Sequence, residues 1–365
     1  MERFTKYKTM IFPREVIVGH NTTDQIKGMC RRITECKNVL IVADKNTKKI
    51  SGDRIAKMLS GSGYEVNTTI ISSPIIKKDI PAAWPTMKEV NAVMKAVTKA
   101  ESDFLIGVGG GSVIDVTKCA SSELSKFYIS VPTSAAHDGM ASPRASLKDK
   151  KGSISKIAVS PVAILADTAI ISKAPYRMLA SGCADVISNL SAVKDWELAH
   201  RLKNEEFSTF AASLSETSSK LLLYKAEDIR SGLEEAVWQA VKCMIVSGVA
   251  MSVAGNTRPA SGSEHMFSHM LDRIAPGKAL HGEQCGVGAI MMMYLHGEND
   301  WMEIRNFLRI IGAPINAKEL RIPKKKIIEA LIEAQKIRPD RYTILGEQGL
   351  TQDAAKRLAK ITGVI

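Results

Sequence analysis

Three of the seven histidines fall inside one stretch, residues 263–284, SEHMFSHMLDRIAPGKALHGEQ. His265 and His269 are four apart, so on a helix they share one face. His281 follows a break at Pro276 and Gly277, in His281-Gly282-Glu283. Two imidazoles brought together by a helix and the start of the next segment make good metal ligands, because neutral ring nitrogens are common donors to divalent ions. Spacing alone does not separate His265 from His269, and a single helical histidine more often lines a surface. A metal centre also needs a third anchor from elsewhere in the chain.

Two loops earlier in the chain carry a second kind of chemistry. Gly107-Val108-Gly109-Gly110-Gly111-Ser112-Val113-Ile114-Asp115 follows an apolar segment and opens a helical one. Consecutive glycines let backbone approach a ligand closely. The helix N-terminus then offers unpaired N–H groups and partial positive charge to a pyrophosphate. The pattern is neither the first-strand G-x-G-x-x-G nor a P-loop, because no Gly-Lys-Ser/Thr ends it. The second loop runs from Thr133 through Ser134, Ala135, Ala136, His137, Asp138 and Ser142 to Arg144. It places small hydroxyls, a carboxylate and a cation where a sheet presents its ligands.

Short apolar segments position both loops. Residues 15–19, 38–43, 65–71, 103–108, 128–131 and 163–166 read as strands, and the continuous apolar run NVLIVA is typical of a parallel strand buried on both faces. Helices are expected between them. Residues 21–24 supply N-cap chemistry for a helix through Ile33, residues 52–59 look helical, and Met87, Val90, Val93, Met94 and Val97 share one helical stripe. Residues 144–159 read as a β-hairpin turning at the charged residues 148–151. After about residue 171 helical patterns dominate. A helix opened by Pro175 carries Val186, Leu190, Val193 and Trp196, and others follow at 208–224, 233–254, the histidine segment, 286–295, 301–311, 324–334 and 353–361. The expectation is an α/β domain over residues 1–171, with a parallel sheet flanked by helices, then an all-α domain over residues 172–365.

Composition narrows the class. The 365 residues suffice for about two domains, and 45% apolar with 24% charged residues is ordinary for a globular protein. No run of 18 apolar residues occurs and the first 16 residues lack the apolar block of a signal peptide, so a cytoplasmic protein without integral membrane association is expected. The six cysteines form no C-x-x-C pair, which fits reduced, mostly buried thiols. A net charge of +12 favours anionic ligands, but the basic residues are dispersed, so no nucleic-acid partner is expected.

Gly109-Gly110-Gly111-Ser112-x-x-Asp115 is similar to the cofactor loop of the iron-type alcohol dehydrogenase, glycerol dehydrogenase and dehydroquinate synthase superfamily. The segments PTSAAHDGMASPR at 132–144, SGSEH at 261–265, HGEQ at 281–284 and RPDRYTIL at 338–345 resemble those of the archaeal sn-glycerol-1-phosphate dehydrogenases. The resemblance spans nearly the whole chain and implies a dehydroquinate synthase-like fold. It implies Asp185 as the third anchor, so that Asp185, His265 and His281 hold one Zn2+ per subunit. It further implies that His269, Asp138 and Asp185 contact the substrate. NAD(H) or NADP(H) contacts are implied at Gly109, Gly110, Gly111, Ser112, Val113, Ile114 and Asp115, at Thr133, Ser134, Ala135 and Ala136, and at Ser142. Here the loop reads Ser-Ala-Ala-His where many relatives have Ala-Ser-His, which touches one local hydroxyl.

The implied reaction is reversible reduction of dihydroxyacetone phosphate to sn-glycerol 1-phosphate, the backbone of archaeal membrane phospholipids. Arg144, Lys156 and Arg258 are the cations considered for the phosphate, and Asp44, ending a parallel strand, is a candidate for the adenosine ribose. The implied partner is a phosphorylated small molecule, and a homo-oligomer is expected. The alternatives are a glycerol or other polyol dehydrogenase with the same cofactors, a dehydroquinate synthase-like lyase and, from another class, a basic nucleic-acid-binding protein. Histidine and carboxylate donors also suit iron or nickel.

Overall fold

A computed structural model describes residues 9–72, 85–149, 152–297 and 299–365. The chain begins with a six-stranded sheet made of β1 (Glu15–Gly19), β2 (Asn38–Ala43), β3 (Glu65–Ile70), β4 (Phe104–Gly109), β5 (Tyr128–Pro132) and, after a hairpin, β8 (Ala163–Asp167). The strand order is β1-β8-β5-β4-β2-β3 and every pairing is parallel. β4, β5 and β8 are buried along their whole length, whereas the edge strands β1 and β3 are not. This difference follows from helices covering both faces of the central strands. The covering helices are α1 (Ile26–Ile33), α2 (Lys45–Thr47), α3 (Asp53–Ser60), α4 (Met87–Lys99) and α5 (Gly111–Glu123). The hairpin is β6 (Arg144–Asp149) with β7 (Gly152–Ile157), antiparallel as its sequence predicts; residues 150 and 151 of its charged turn lie outside the described residues.

Helices follow: α6 (Thr168–Ile171), α7 (Tyr176–Ile187), α8 (Asn189–Lys203), α9 (Thr209–Tyr224), α10 (Glu234–Ala254), α11 (Ser263–Ile274), α12 (His281–Leu295), α13 (Asp300–Ile310), α14 (Lys324–Glu333) and α15 (Gln352–Ile361). No strand occurs among the described residues after β8. The largest core cluster joins α7, α10, α11 and α12, while two smaller clusters fill the two faces of the sheet. α10 is long and apolar enough to cross a membrane by length and composition, yet most of it is buried beneath neighbouring helices.

Local chemistry departs from the sequence reading at four places. The first helical turn after β1 is not capped by residues 21–24 themselves. Asp167, at the end of the neighbouring β8, accepts from Asn21 N at 3.1 Å, Thr23 N at 2.9 Å and Thr23 Oγ1 at 2.5 Å. Asp44 caps α2, accepting from Asn46 N at 2.8 Å and Thr47 N at 2.9 Å, so its carboxylate is committed to its own helix. The helix expected from Pro175 is two, with α7 giving way to α8 at Ser188, whose hydroxyl donates to Asp185 O at 2.7 Å. Finally, α12 starts at His281, five residues earlier than its apolar pattern shows, because Glu283 Oε2 accepts the Leu280 N–H at 2.8 Å and closes the first turn.

Candidate active site

Asp185, His265 and His281 come from three helices and converge. Asp185 is buried in the last turn of α7, His265 lies in the first turn of α11, and His281 opens α12. Asp185 Oδ1 is 3.6 Å from His265 Nε2 and 3.6 Å from His281 Nε2. These separations are too long for hydrogen bonds. They suit donors sharing one ion, since two ligands about 2.1 Å from a tetrahedral metal stand roughly 3.4 Å apart. Asp185 Oδ1 is also buried with no hydrogen-bond partner, and a buried carboxylate oxygen left so is a cost that a bound cation removes. The residues present therefore fit a metal ion. Close backbone packing makes the convergence possible: a Cβ on Gly282 would lie 1.9 Å from Ser181 O, so only glycine lets α12 meet α7 here.

Neighbouring groups aim each imidazole. Glu264 is fully buried; its Oε1 lies 2.8 Å from His265 Nδ1 and 2.6 Å from the donating Gly262 N, and its Oε2 accepts from Ser191 Oγ at 2.8 Å. Ser268 Oγ donates to Gln284 Oε1 at 2.7 Å, so it takes the His281 Nδ1–H at 3.2 Å as acceptor. Each ring thus spends Nδ1 on a second partner and presents Nε2 to Asp185, the arrangement in which outer groups fix the tautomer of a ligand. The sequence reading missed Glu264, though it directly precedes His265. It also treated Cys285 as one scattered thiol. Cys285 lies one turn after His281, and its sulfur is 3.6 Å from His281 Nε2, a fourth donor within reach of the same point.

The electrostatics leave room for one positive charge. Burial, and then His265, push His269 down to about 3 and hold His281 well below the ordinary imidazole range. Burial would also lower His265, but Cys285 and Glu264 outweigh it and hold it well above that range. Burial pushes the Cys285 thiol itself up to about 11. Burial and the adjacent Asp138 push Asp185 up to about 6. A cation bound here would compete with a proton for the same donors.

A cavity of about 600 Å³ opens beside the triad. Its wall includes Asp138, Ser142, Ser112, Asp115, Asp185, His265, His269 and His281, which unites the implied metal, substrate and part of the implied cofactor set. Asp138 N donates to Asp185 Oδ2 at 3.2 Å and Ser247 Oγ donates to Asp138 Oδ2 at 2.7 Å. His269 stands against His281, ring centroids 5.8 Å apart, with its Nδ1 buried and unpartnered. The remaining cofactor candidates lie off this wall. Val113 and Ile114 are buried in the core and their N–H groups bond Gly110 O at 3.0 and 3.1 Å, which leaves the amides of Gly111 and Ser112 to open α5. Gly109, Gly110, Thr133, Ser134, Ala135 and Ala136 belong to the adjoining ends of β4 and β5, joined by Thr133 N to Gly109 O at 3.0 Å. Asp115 is engaged with fully buried Lys118 at 3.2 Å and with Ser146 N at 3.0 Å, and Lys118 also donates to Gly139 O and Arg144 O, each at 2.6 Å. This pair ties the glycine-loop helix to the second loop.

Of the three phosphate candidates, the structure brings one to the cavity. Arg144 lines it with a buried, unpartnered Nε. Arg258 is instead held by both carboxylate oxygens of Glu205 and by Tyr342 O at 2.8 Å, and Lys156 pairs with Glu123 on the surface. Arg338 and Arg341 also line the cavity. The motif containing them was legible, but nothing in it distinguishes a ligand-facing arginine from a solvated one.

Comparison with known proteins agrees with this assembly. The description "Iron-containing alcohol dehydrogenase" applies to the family model that matches residues 17–175. In solved structures, glycerol dehydrogenase from Schizosaccharomyces pombe superposes with a TM-score of 0.78 at 21% identity, covering 99% of this chain and 93% of that one, and so shares the fold. A glycerol-1-phosphate dehydrogenase [NAD(P)+] from Methanosarcina mazei is 51% identical over 98% of this chain and 97% of its own, and one from Thermococcus kodakarensis is 48% identical over the full length of both. Identity of that order along whole chains places this protein in the glycerol-1-phosphate dehydrogenase [NAD(P)+] family.

Proposed function

We propose that this chain catalyses the reversible NAD(P)H-dependent reduction of dihydroxyacetone phosphate to sn-glycerol 1-phosphate at a divalent metal site, and that the product becomes the backbone of archaeal membrane phospholipids. The observation that carries the reading is Asp185 Oδ1, buried without a partner and 3.6 Å from two imidazole nitrogens, in a chain whose close relatives bear the name of that reaction. In this reading residues 1–171 hold NAD(H) or NADP(H), through the glycine loop and residues 133–142. Residues 172–365 hold one Zn2+ through Asp185, His265 and His281. The bound metal supplies polarisation of the substrate carbonyl, and the reduced nicotinamide supplies the hydride.

The chain's own residues then bind and orient. Asp138, fixed by Ser247, accepts a substrate hydroxyl. His269 stays neutral at working pH because burial holds it at about 3, so it meets a second hydroxyl as a neutral ring rather than acting as a charged acid. The proton for the product oxygen comes from solvent in the cavity. The protein works as a cytoplasmic homo-oligomer, and its dispersed basic residues serve solvation rather than nucleic acid. Purified protein given dihydroxyacetone phosphate should oxidise NADH or NADPH, chelation should abolish the rate, and enantiopure glycerol 1-phosphate rather than 3-phosphate should support the reverse reaction. Full turnover after complete demetallation would overturn the scheme.

A further inference from the structure

Four arginines share the cavity wall with the triad: Arg273, which is exposed, and Arg144, Arg338 and Arg341, of which Arg338 pairs with a neighbouring carboxylate. Arg144 has a buried Nε with no partner, while its backbone carbonyl is pinned by Lys118 at 2.6 Å and Ser142 at 3.2 Å. Arg338 makes a long, weak pair with Asp340, two residues on, at 3.4 and 3.5 Å. Arg341 is 6% exposed and donates to two neutral oxygens, Ser261 O at 2.6 Å and Thr257 Oγ1 at 2.8 Å. Burial and then Arg338 hold both Arg144 and Arg341 below the usual guanidinium range, Arg341 at about 9. Arg338 thus repels both other guanidinium groups on a concave surface, and a bound dianion would relieve that repulsion.

We propose that Arg144, Arg338 and Arg341 form the subsite for a phosphomonoester dianion, and that this dianion is the phosphate of the substrate. The assignment rests on the function proposed above. Planar guanidinium forks match phosphate oxygens two at a time, which a lone lysine does not. Two sources could present the same chemistry: the substrate, or the 2′-phosphate of NADP(H). The substrate is favoured because the same wall carries Asp138, Asp185 and His269, which the reading assigns to its hydroxyl end. Phosphate specificity would then be set by residues from both halves of the chain, Arg144 from the hairpin and Arg338 with Arg341 from the segment before α15.

The test uses metal-loaded Arg144→Gln and Arg338→Gln, because Arg341 also fastens Ser261 and Thr257 and its loss would loosen that segment. The ratio of kcat/KM for dihydroxyacetone phosphate to that for dihydroxyacetone should fall roughly ten- to a hundredfold in each variant, mostly through KM. Arg338→Lys should recover part of the loss. Independently, inorganic phosphate should raise the melting temperature of the wild type above that in chloride at equal ionic strength, and each glutamine variant should lose part of that rise. A wild type that bound phosphate through these arginines but did not reduce dihydroxyacetone phosphate would remove the proposed function and leave the subsite standing. Active variants with the substrate ratio unchanged within threefold would overturn the subsite. An unchanged substrate ratio together with a collapsed NADPH-to-NADH preference would transfer the anion to the cofactor and overturn the assignment to substrate.

Discussion

Gly282→Ala tests whether the proposed metal centre depends on backbone contact between helices. A Cβ there would lie 1.9 Å from Ser181 O, 2.8 Å from Ser181 C and 2.9 Å from Ser181 Oγ. A carbon–oxygen contact needs roughly 3.3 Å, so the start of α12 would have to retreat from α7 by about 1.4 Å. His281 is the adjacent residue and would move with it, while Asp185 stays on α7. Metal sites tolerate about 0.2 Å in ligand distance, several times less than this shift. Two stability effects oppose each other. Alanine is worth up to about 1 kcal/mol over glycine within a helix, and overpacking costs about 1–3 kcal/mol. The contact is with a main-chain carbonyl that cannot swing aside, so the overpacking term wins and the metal-free protein should lose about 1–2 kcal/mol.

The larger effect should be on the ion, with affinity lowered by roughly a hundredfold or more, because a displaced ligand costs at least what a lost supporting group does. Competition against a calibrated chelator measures it, with urea unfolding of the metal-free protein giving the stability term. Gly286→Ala is the control on the same helix: its Cβ would meet Leu308 methyls at 3.1–3.2 Å, which can swing aside, and Ala184 Cβ at 3.1 Å, so the shift needed is a few tenths of an ångström instead of about 1.4 Å. It should keep affinity near that of the wild type. Gly282→Ala binding metal within threefold of the wild type, or Gly286→Ala losing as much, would refute the reasoning.

Glu264→Ala should lower metal affinity roughly ten- to a hundredfold by orphaning His265 Nδ1, with Glu264→Gln intermediate because the amide oxygen can still accept; chelator competition measures both. Metal affinity should rise with pH by about tenfold per unit near neutrality, as binding expels the proton held on His265, and by about a hundredfold per unit below pH 6, where Asp185 is protonated too; a flat profile between pH 5 and 7 would contradict the charge assignment. Lys118→Met should cost about 3–5 kcal/mol in urea unfolding by stranding buried Asp115, and Asp115→Asn added to it should recover part of that loss.

The sheet was legible because parallel strands buried on both faces leave continuous apolar runs, and β2, β4, β5 and β8 all carry them. The histidine motifs were legible because their residue types are chemically unusual. What stayed hidden depends on partners remote in sequence. Asp44 and Asp167 are both carboxylates at strand ends that cap the helix following them, and nothing local says that Asp167 also caps a turn 144 residues away. Arg258 looked like a free cation until Glu205, 53 residues earlier, was placed against it. Residue types alone left His265 and His269 equivalent. In the structure His265 Nε2 faces Asp185, while His269 looks into the cavity from beside His281.

The contacts that hold the two loops and the triad together share one feature. Gly182 on α7 faces Ala135 O, where a Cβ would come within 2.4 Å, and Gly248 on α10 faces Ala141 and Ser142 N, where it would come within 2.7 and 2.9 Å. Gly282 repeats the arrangement between α12 and α7. Lys118 fastens the same loop from the sheet side, and Asp138 N reaches Asp185 Oδ2 across it. Residues 133–142 are therefore held against α5 on one side by the Lys118 side chain and seated on the other against the glycines of α7 and α10. Long side chains can relax around a misplaced loop, but backbone seated on backbone cannot, because protein interiors are close-packed. It follows that the distance between the loop side of the cavity and the triad is set by where helices touch, and that substitutions at these glycines should disturb hydride transfer even though no glycine side chain faces the substrate.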